Sequence, residues 1–269
     1  MSTVEALEGR ALLSQFVVTN LNDNGDGSLR QAIIGSNNTS GPNEIDFATG
    51  LSGTITLTSG QLTIANNDVT IEGPGDSVLS VTGNNASRVF EVDQVQVTIS
   101  GLTITGGNVG SDASGGGILD NGGTLTIDTS TISGNTAYQG GGISVVSGAA
   151  TITGSTISDN TAVAGGGIYC LGDLTLSTVM VTKNLAEGNI GANGSGGAGQ
   201  DAQGGGIYSA GGALSLTNQT QVAGNHAGGG PGGSGSGGYP GGDGGSGQGG
   251  GVYALDGTVT ITNGTLSGN

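Results

Sequence analysis

The chain has no tryptophan, 3% aromatic residues, one cysteine and only four basic residues against 20 acidic ones in 269. So few rings cannot fill an ordinary compact core, because aromatic side chains supply much of the area such cores bury. Cys170 stands alone, so no disulfide can form within the chain. No apolar run approaches the roughly 18 residues of a membrane-spanning helix, which predicts no transmembrane segment. The first fourteen residues lack the basic start and continuous apolar stretch of a signal peptide. A formal charge of −16 repels phosphate backbones and anionic headgroups, so nucleic acid is not an expected partner.

Glycine is what the chain has in quantity, 61 residues, without the strict three-residue period of collagen. Triple-glycine blocks ending at Gly117, Gly142, Gly167, Gly206 and Gly251 are each followed by Ile or Val, then by strand-like alternation, then by asparagine. The asparagines are Asn135, Asn160, Asn184, Asn225 and Asn269, which lie 18, 18, 17, 19 and 18 residues after their blocks. Where nothing is inserted the period is 25. A fixed period of this kind marks a solenoid, whose units bury their apolar faces only by stacking.

Aligned by that frame, four aliphatic columns form: Ile118 to Val252 after the glycines, then those headed by Leu125, Ile127 and Ile132. Burying each such side chain stabilises by roughly 1.5–3 kcal/mol. Period-two alternation without helical spacing predicts an all-β, single-stranded parallel β-helix, right-handed because crossovers prefer that hand. The asparagine column is read as a structural corner ladder: asparagine tolerates a left-handed backbone, and its amide can bond its counterparts above and below.

Three parts are expected. Residues 1–14 stand apart, with Leu7, Leu12 and Leu13 spaced as in a short helix. Residues 15–43 form a cap, in which Ser28 N-caps a short helix with Leu29, Ile33 and Ile34 on one side. Residues 44–269 form the solenoid, interrupted by Gly-rich insertions at 185–203 and 226–248 that leave from the same corner and read as mobile loops lying side by side. The chain stops at Asn269, a rung corner without a capping segment, so further rungs are expected beyond it.

These motifs resemble three known patterns. LEGRALLS (Leu7 to Ser14) resembles the LEPR-x-LL sorting motif of exported planctomycete-type bacterial proteins, with Gly9 in the usual proline place. FVVTNLNDNGDGSLRQAI is similar to the entry segment of bacterial right-handed parallel β-helix surface proteins. GGGI paired with I-S-x-N resembles the GGA[ILV] and FxxN repeats of the polymorphic outer-membrane-protein family. Together they imply an extracellular or cell-surface β-helix in a bacterium, with glycans or cell-surface proteins as partners.

The residues themselves offer little catalytic chemistry. Arg10, Arg30, Arg88 and Lys183 do not pair in the repeat frame as a lyase would need. Asp128 aligns with Thr153 and Asp159 with Lys183, while Asp120 and Asp173 fall near one corner but not on adjacent rungs. No glycosidase pair results. His226 is alone in a glycine-rich stretch, and Asn22 to Gly27 fails as a calcium loop because Ile33 stands where glutamate is needed. No catalytic, cofactor or metal residue is therefore expected. Tyr169, Tyr208 and Tyr253 follow the inward aliphatic column and are expected to point outward. They read either as a stabilising stack or as a ligand platform, and on the latter reading Ser at all three would abolish glycan binding without unfolding. The expectation is a non-enzymatic, adhesin-like scaffold; the alternative is a polysaccharide lyase or glycosidase whose active site lies outside this chain.

Overall fold

In the computed structural model, which describes residues 13–269, one helix, following the first strand, packs on a parallel β-solenoid. Three long sheets run its length: nine strands from Ser14–Val18 to Thr258–Thr262, eight from Gly53–Thr56 to Thr265–Ser267, and seven from Leu62–Ala65 to Val252–Ala254. Every strand pair is parallel, and consecutive rungs follow one another in each sheet, giving a right-handed parallel β-helix. The segment 1–14 lies outside the described residues except for Leu13 and Ser14, as do Arg10 and most of the helix expected there.

The aliphatic columns are in the register that the repeat frame dictates. Ile118 pairs with Ile143, Ile143 with Ile168, Ile168 with Ile207 and Ile207 with Val252. Leu125, Ile127 and Ile132 head columns that continue rung by rung in the other two long sheets. Except in the last rung, where Val259, Ile261 and Leu266 are exposed, these side chains are almost wholly shielded from solvent and form one continuous core. With rungs about 4.8 Å apart, each aliphatic group touches its like above and below, so few aromatics are needed.

The cap helix spans Leu29–Asn37, with Ser28 accepting from the Gln31 N–H at 3.2 Å. Its buried stripe is Leu29, Ala32, Ile33 and Ser36; Ile34, expected among them, is exposed instead. The stripe follows the i, i+3, i+4, i+7 spacing of a helix face, and Ile34 falls off it. Arg30 anchors the preceding turn through Asp23 at 2.7 Å and the carbonyls of Gly60 and Gln61. Burial alone would raise the Asp23 carboxyl, but bonds from Arg30, Ser59 and Thr58 outweigh it and hold it at about 2. The turn thus locks the cap to the first rungs rather than cradling an ion.

The two insertions are not free loops. Four extended segments, 187–194, 197–203, 227–236 and 240–248, lie side by side and bond at three-residue intervals. Gly188, Gly191 and Gly194 donate to Gly228, Pro231 and Ser234 at 2.9, 2.9 and 2.7 Å. Gly230 and Gly233 donate to Gln200 and Gly197, and Gly242 and Gly245 donate back to Gly233 and Gly230. Three residues is the turn of a polyproline II-type segment, which makes no internal hydrogen bonds and must find partners alongside. The segments sit too close for side chains: a Cβ on Gly232 would lie 1.8 Å from the carbonyl oxygen of Gly242. The glycine content is thus a packing requirement of a bundle, where composition alone suggests a flexible linker.

Amide hydrogen exchange checks the bundle. Gly191 and Gly233 should exchange slowly, while Gly232→Ala should strip that protection and leave the solenoid rungs protected.

Candidate functional site

The asparagine column is bonded throughout and buried from Asn135 to Asn225, with Asn269 exposed. Asn160 shows the pattern: its Nδ2 donates to the Ile132 carbonyl and to Asn184 Oδ1, both at 3.0 Å, and its own N–H donates to that same Oδ1 at 3.1 Å. The arrangement repeats at Asn135, Asn184 and Asn225, and ends on Asn269. The left-handed residue at this corner is not the asparagine but the one before it: Gly134, Asp159, Lys183, Gly224 and Gly268 carry φ near +60°. The asparagine's side chain, not its backbone tolerance, is what the corner uses. Lys183 is exposed there.

The tyrosines lie on the outer side of the seven-stranded sheet and stack. Ring centroids of Tyr169 and Tyr208 are 4.7 Å apart, and those of Tyr208 and Tyr253 are 5.3 Å apart. They are not the open surface that outward orientation suggests, since Tyr169 and Tyr208 are each only 8% exposed. The turn at each glycine block folds back against the strand: a Cβ on Gly165 or Gly204 would come within 2.8 Å of the backbone nitrogen of Tyr169 or Tyr208, and Gln139 hydrogen-bonds the Tyr169 hydroxyl. Burial raises the hydroxyl pKa of both rings. Three rings in such a stack contribute to stability, so their replacement by serine would not be structurally silent.

Farther along the same outer stripe, Arg88 is buried; its guanidinium donates to the Gly115 and Ser114 carbonyls and to Gln61, with Glu91 at 3.8 Å. Glu91 in turn accepts from Gln61, Thr63 and Asn121. This polar knot is saturated by its own members.

Asp120, expected near one corner with Asp173 but not on an adjacent rung, points inward: it is fully buried, in the column of Val92, Val145 and Cys170, a position that sequence analysis did not single out. Its Oδ1 accepts from the Gly122 N–H at 3.0 Å, and its Oδ2 has no hydrogen-bond partner. Desolvation pushes its pKa from 3.8 to about 6. Extending the column alignment two residues past Ile118 would have shown an acid among Val, Cys and Ser. A second acidic group, Glu44, Asp46 and Glu72, has carboxylate oxygens within 4.8 Å of one another on the outer side of the nine-stranded sheet. Its mutual repulsion, Asp46 foremost, raises the Glu44 pKa.

A cleft of about 510 Å³ lies where the glycine bundle meets the solenoid flank. Thr136, Thr161, Glu187 and Asn189 supply polar groups, and Ile190 and Pro231 an apolar wall. Ile190 is 66% exposed. No family model matches the chain, and a comparison with curated proteins finds no match either. No described helix is long and apolar enough to cross a membrane.

The folded pKa of Asp120 exceeds the unfolded value, so its ionisation opposes folding: its penalty is absent below about pH 4 and grows as pH rises towards 6. Asp120→Val should raise stability at neutral pH by about 3 kcal/mol, with the gain shrinking towards pH 4, as thermal melts at both values would show.

Proposed function

We propose that the chain is a non-enzymatic β-helix scaffold of the bacterial cell surface or exterior, adhesin-like, holding neutral glycans in the cleft beside the glycine bundle. The observation that carries this reading is the cleft itself. Its volume falls within the range of small-ligand sites, and it combines an apolar wall with hydroxyl, amide and carboxylate groups. A pyranose has the complementary make-up, with an apolar C–H face and a rim of hydroxyls. Ile190 and Pro231 can cover that face while Thr136, Thr161, Asn189 and Glu187 bond the rim. The strong negative charge favours neutral over acidic glycans. The resemblance of the glycine and asparagine repeats to surface-passenger repeats supports the location.

The test is incubation of the full chain with neutral and acidic polysaccharides, following bound protein and newly formed reducing or unsaturated ends. Neutral glycans should bind without cleavage, and Ile190→Asp should weaken binding by about tenfold, equal to one lost apolar contact. Cleavage would overturn the non-enzymatic reading. Absence of binding to every polysaccharide would overturn the adhesin-like one.

A further inference from the structure

The corner after Asp120 brings a carboxylate onto the backbone N–H of an Asn-Gly pair. Asn121 precedes Gly122, the N–H of Gly122 donates to Asp120 Oδ1 at 3.0 Å, and the Asn121 side-chain amide donates to Glu91 Oε1 at 3.3 Å. Asp120 is wholly buried with its other oxygen unpartnered, whereas Asn121 is partly exposed to water. Three more Asn-Gly pairs occur in the chain, at Asn24, Asn193 and Asn263. None has this arrangement: Gly194 donates to the Ser234 carbonyl, and among the described residues the N–H groups of Gly25 and Gly264 meet no carboxylate.

We propose that Asn121 is a self-modification site, converted through a cyclic imide to aspartate and isoaspartate with Asp120 as the general base. The Asp120 carboxylate removes the Gly122 N–H proton as that nitrogen attacks Asn121 Cγ. A bond forms between Gly122 N and Cγ, the bond from Cγ to Nδ2 breaks, and Nδ2 leaves as ammonia after taking up a proton. Water then opens the imide at either carbonyl. No electrons change hands, and water is the only co-reactant. An unpaired oxygen in an apolar setting leaves the carboxylate short of hydrogen bonds and so more basic, as the upward pKa shift of this group shows. Glycine at 122 removes the side chain that would hinder the attack.

The product places a new negative charge beside Glu91 in place of a hydrogen-bond donor. Isoaspartate also lengthens the main chain by one atom, next to the bond that Asn121 N–H makes to the Val92 carbonyl at 2.9 Å. The site would therefore record the age of the molecule as a loosening of this corner. It does not depend on whether the cleft holds a glycan.

The experiment is peptide mapping by mass spectrometry of the full chain aged at neutral pH, scoring the exchange of NH2 for OH and the isoaspartate fraction at all four pairs. Asn121 should convert faster than Asn24, Asn193 and Asn263. Asp120→Val, which keeps the inward position apolar like its neighbours Val92 and Val145, should slow Asn121 by roughly a hundredfold, the lower side of what a general base contributes, and leave the other three unchanged. Conversion at Asn121 slower than at the other pairs would mean that the bond to Asp120 only immobilises the N–H, and would overturn the proposal. So would an unchanged rate in Asp120→Val, with thermal melts confirming that the variant is folded.

Discussion

From Asn135 onwards, each rung of this solenoid is tied to the next by one asparagine amide. A peptide carbonyl or N–H left without a partner inside costs on the order of 1–3 kcal/mol, and the corner before each glycine block would bury several. The asparagine side chain meets the need from both directions: Nδ2 reaches the carbonyl of the rung before, as at Ile132 for Asn160, while Oδ1 accepts two N–H groups from the neighbouring asparagine. Because the amides must superpose, the rungs superpose, and the aliphatic columns come into contact along their length.

The same constraint decides where the chain can grow. Backbone between asparagine and glycine block is outside the three long sheets, so length can be added there without disturbing the core. The insertions after Asn184 and Asn225 therefore start one rung apart and parallel, as the pairing of Leu185 with His226 shows. Glycine-rich segments delivered at that spacing can bond to one another every third residue. The bundle and the cleft beneath it follow from the ladder's register rather than from any separate folding unit.

The columns were legible because the spacing from glycine block to asparagine is nearly fixed and aliphatic residues recur at set distances from each block. What was not legible depends on groups that meet only in three dimensions. The position of the left-handed residue was displaced by one, since Asp159 and Lys183 disguise a site that Gly134 and Gly224 mark. Tyr169 and Tyr208 point away from the core as alternation requires, but alternation says nothing of the glycine turn that folds back alongside them. The bundle was hidden because a Gly/Ser composition describes linkers and interlocked three-fold segments alike. Asp120 breaks a local rule, an acid in an aliphatic column, and such breaks are where function or strain is expected.

The central claim is that the asparagine ladder holds the rungs in register, and the most direct test is denaturant unfolding of Asn160→Ala in the full chain. The substitution deprives the Asn135 N–H and the Ile132 carbonyl of their partners within a shielded corner. The account predicts a loss of about 3 kcal/mol or more, against almost none for an alanine at exposed Asn22. A loss below about 1 kcal/mol for Asn160→Ala, within the range of ordinary surface substitutions, would contradict it.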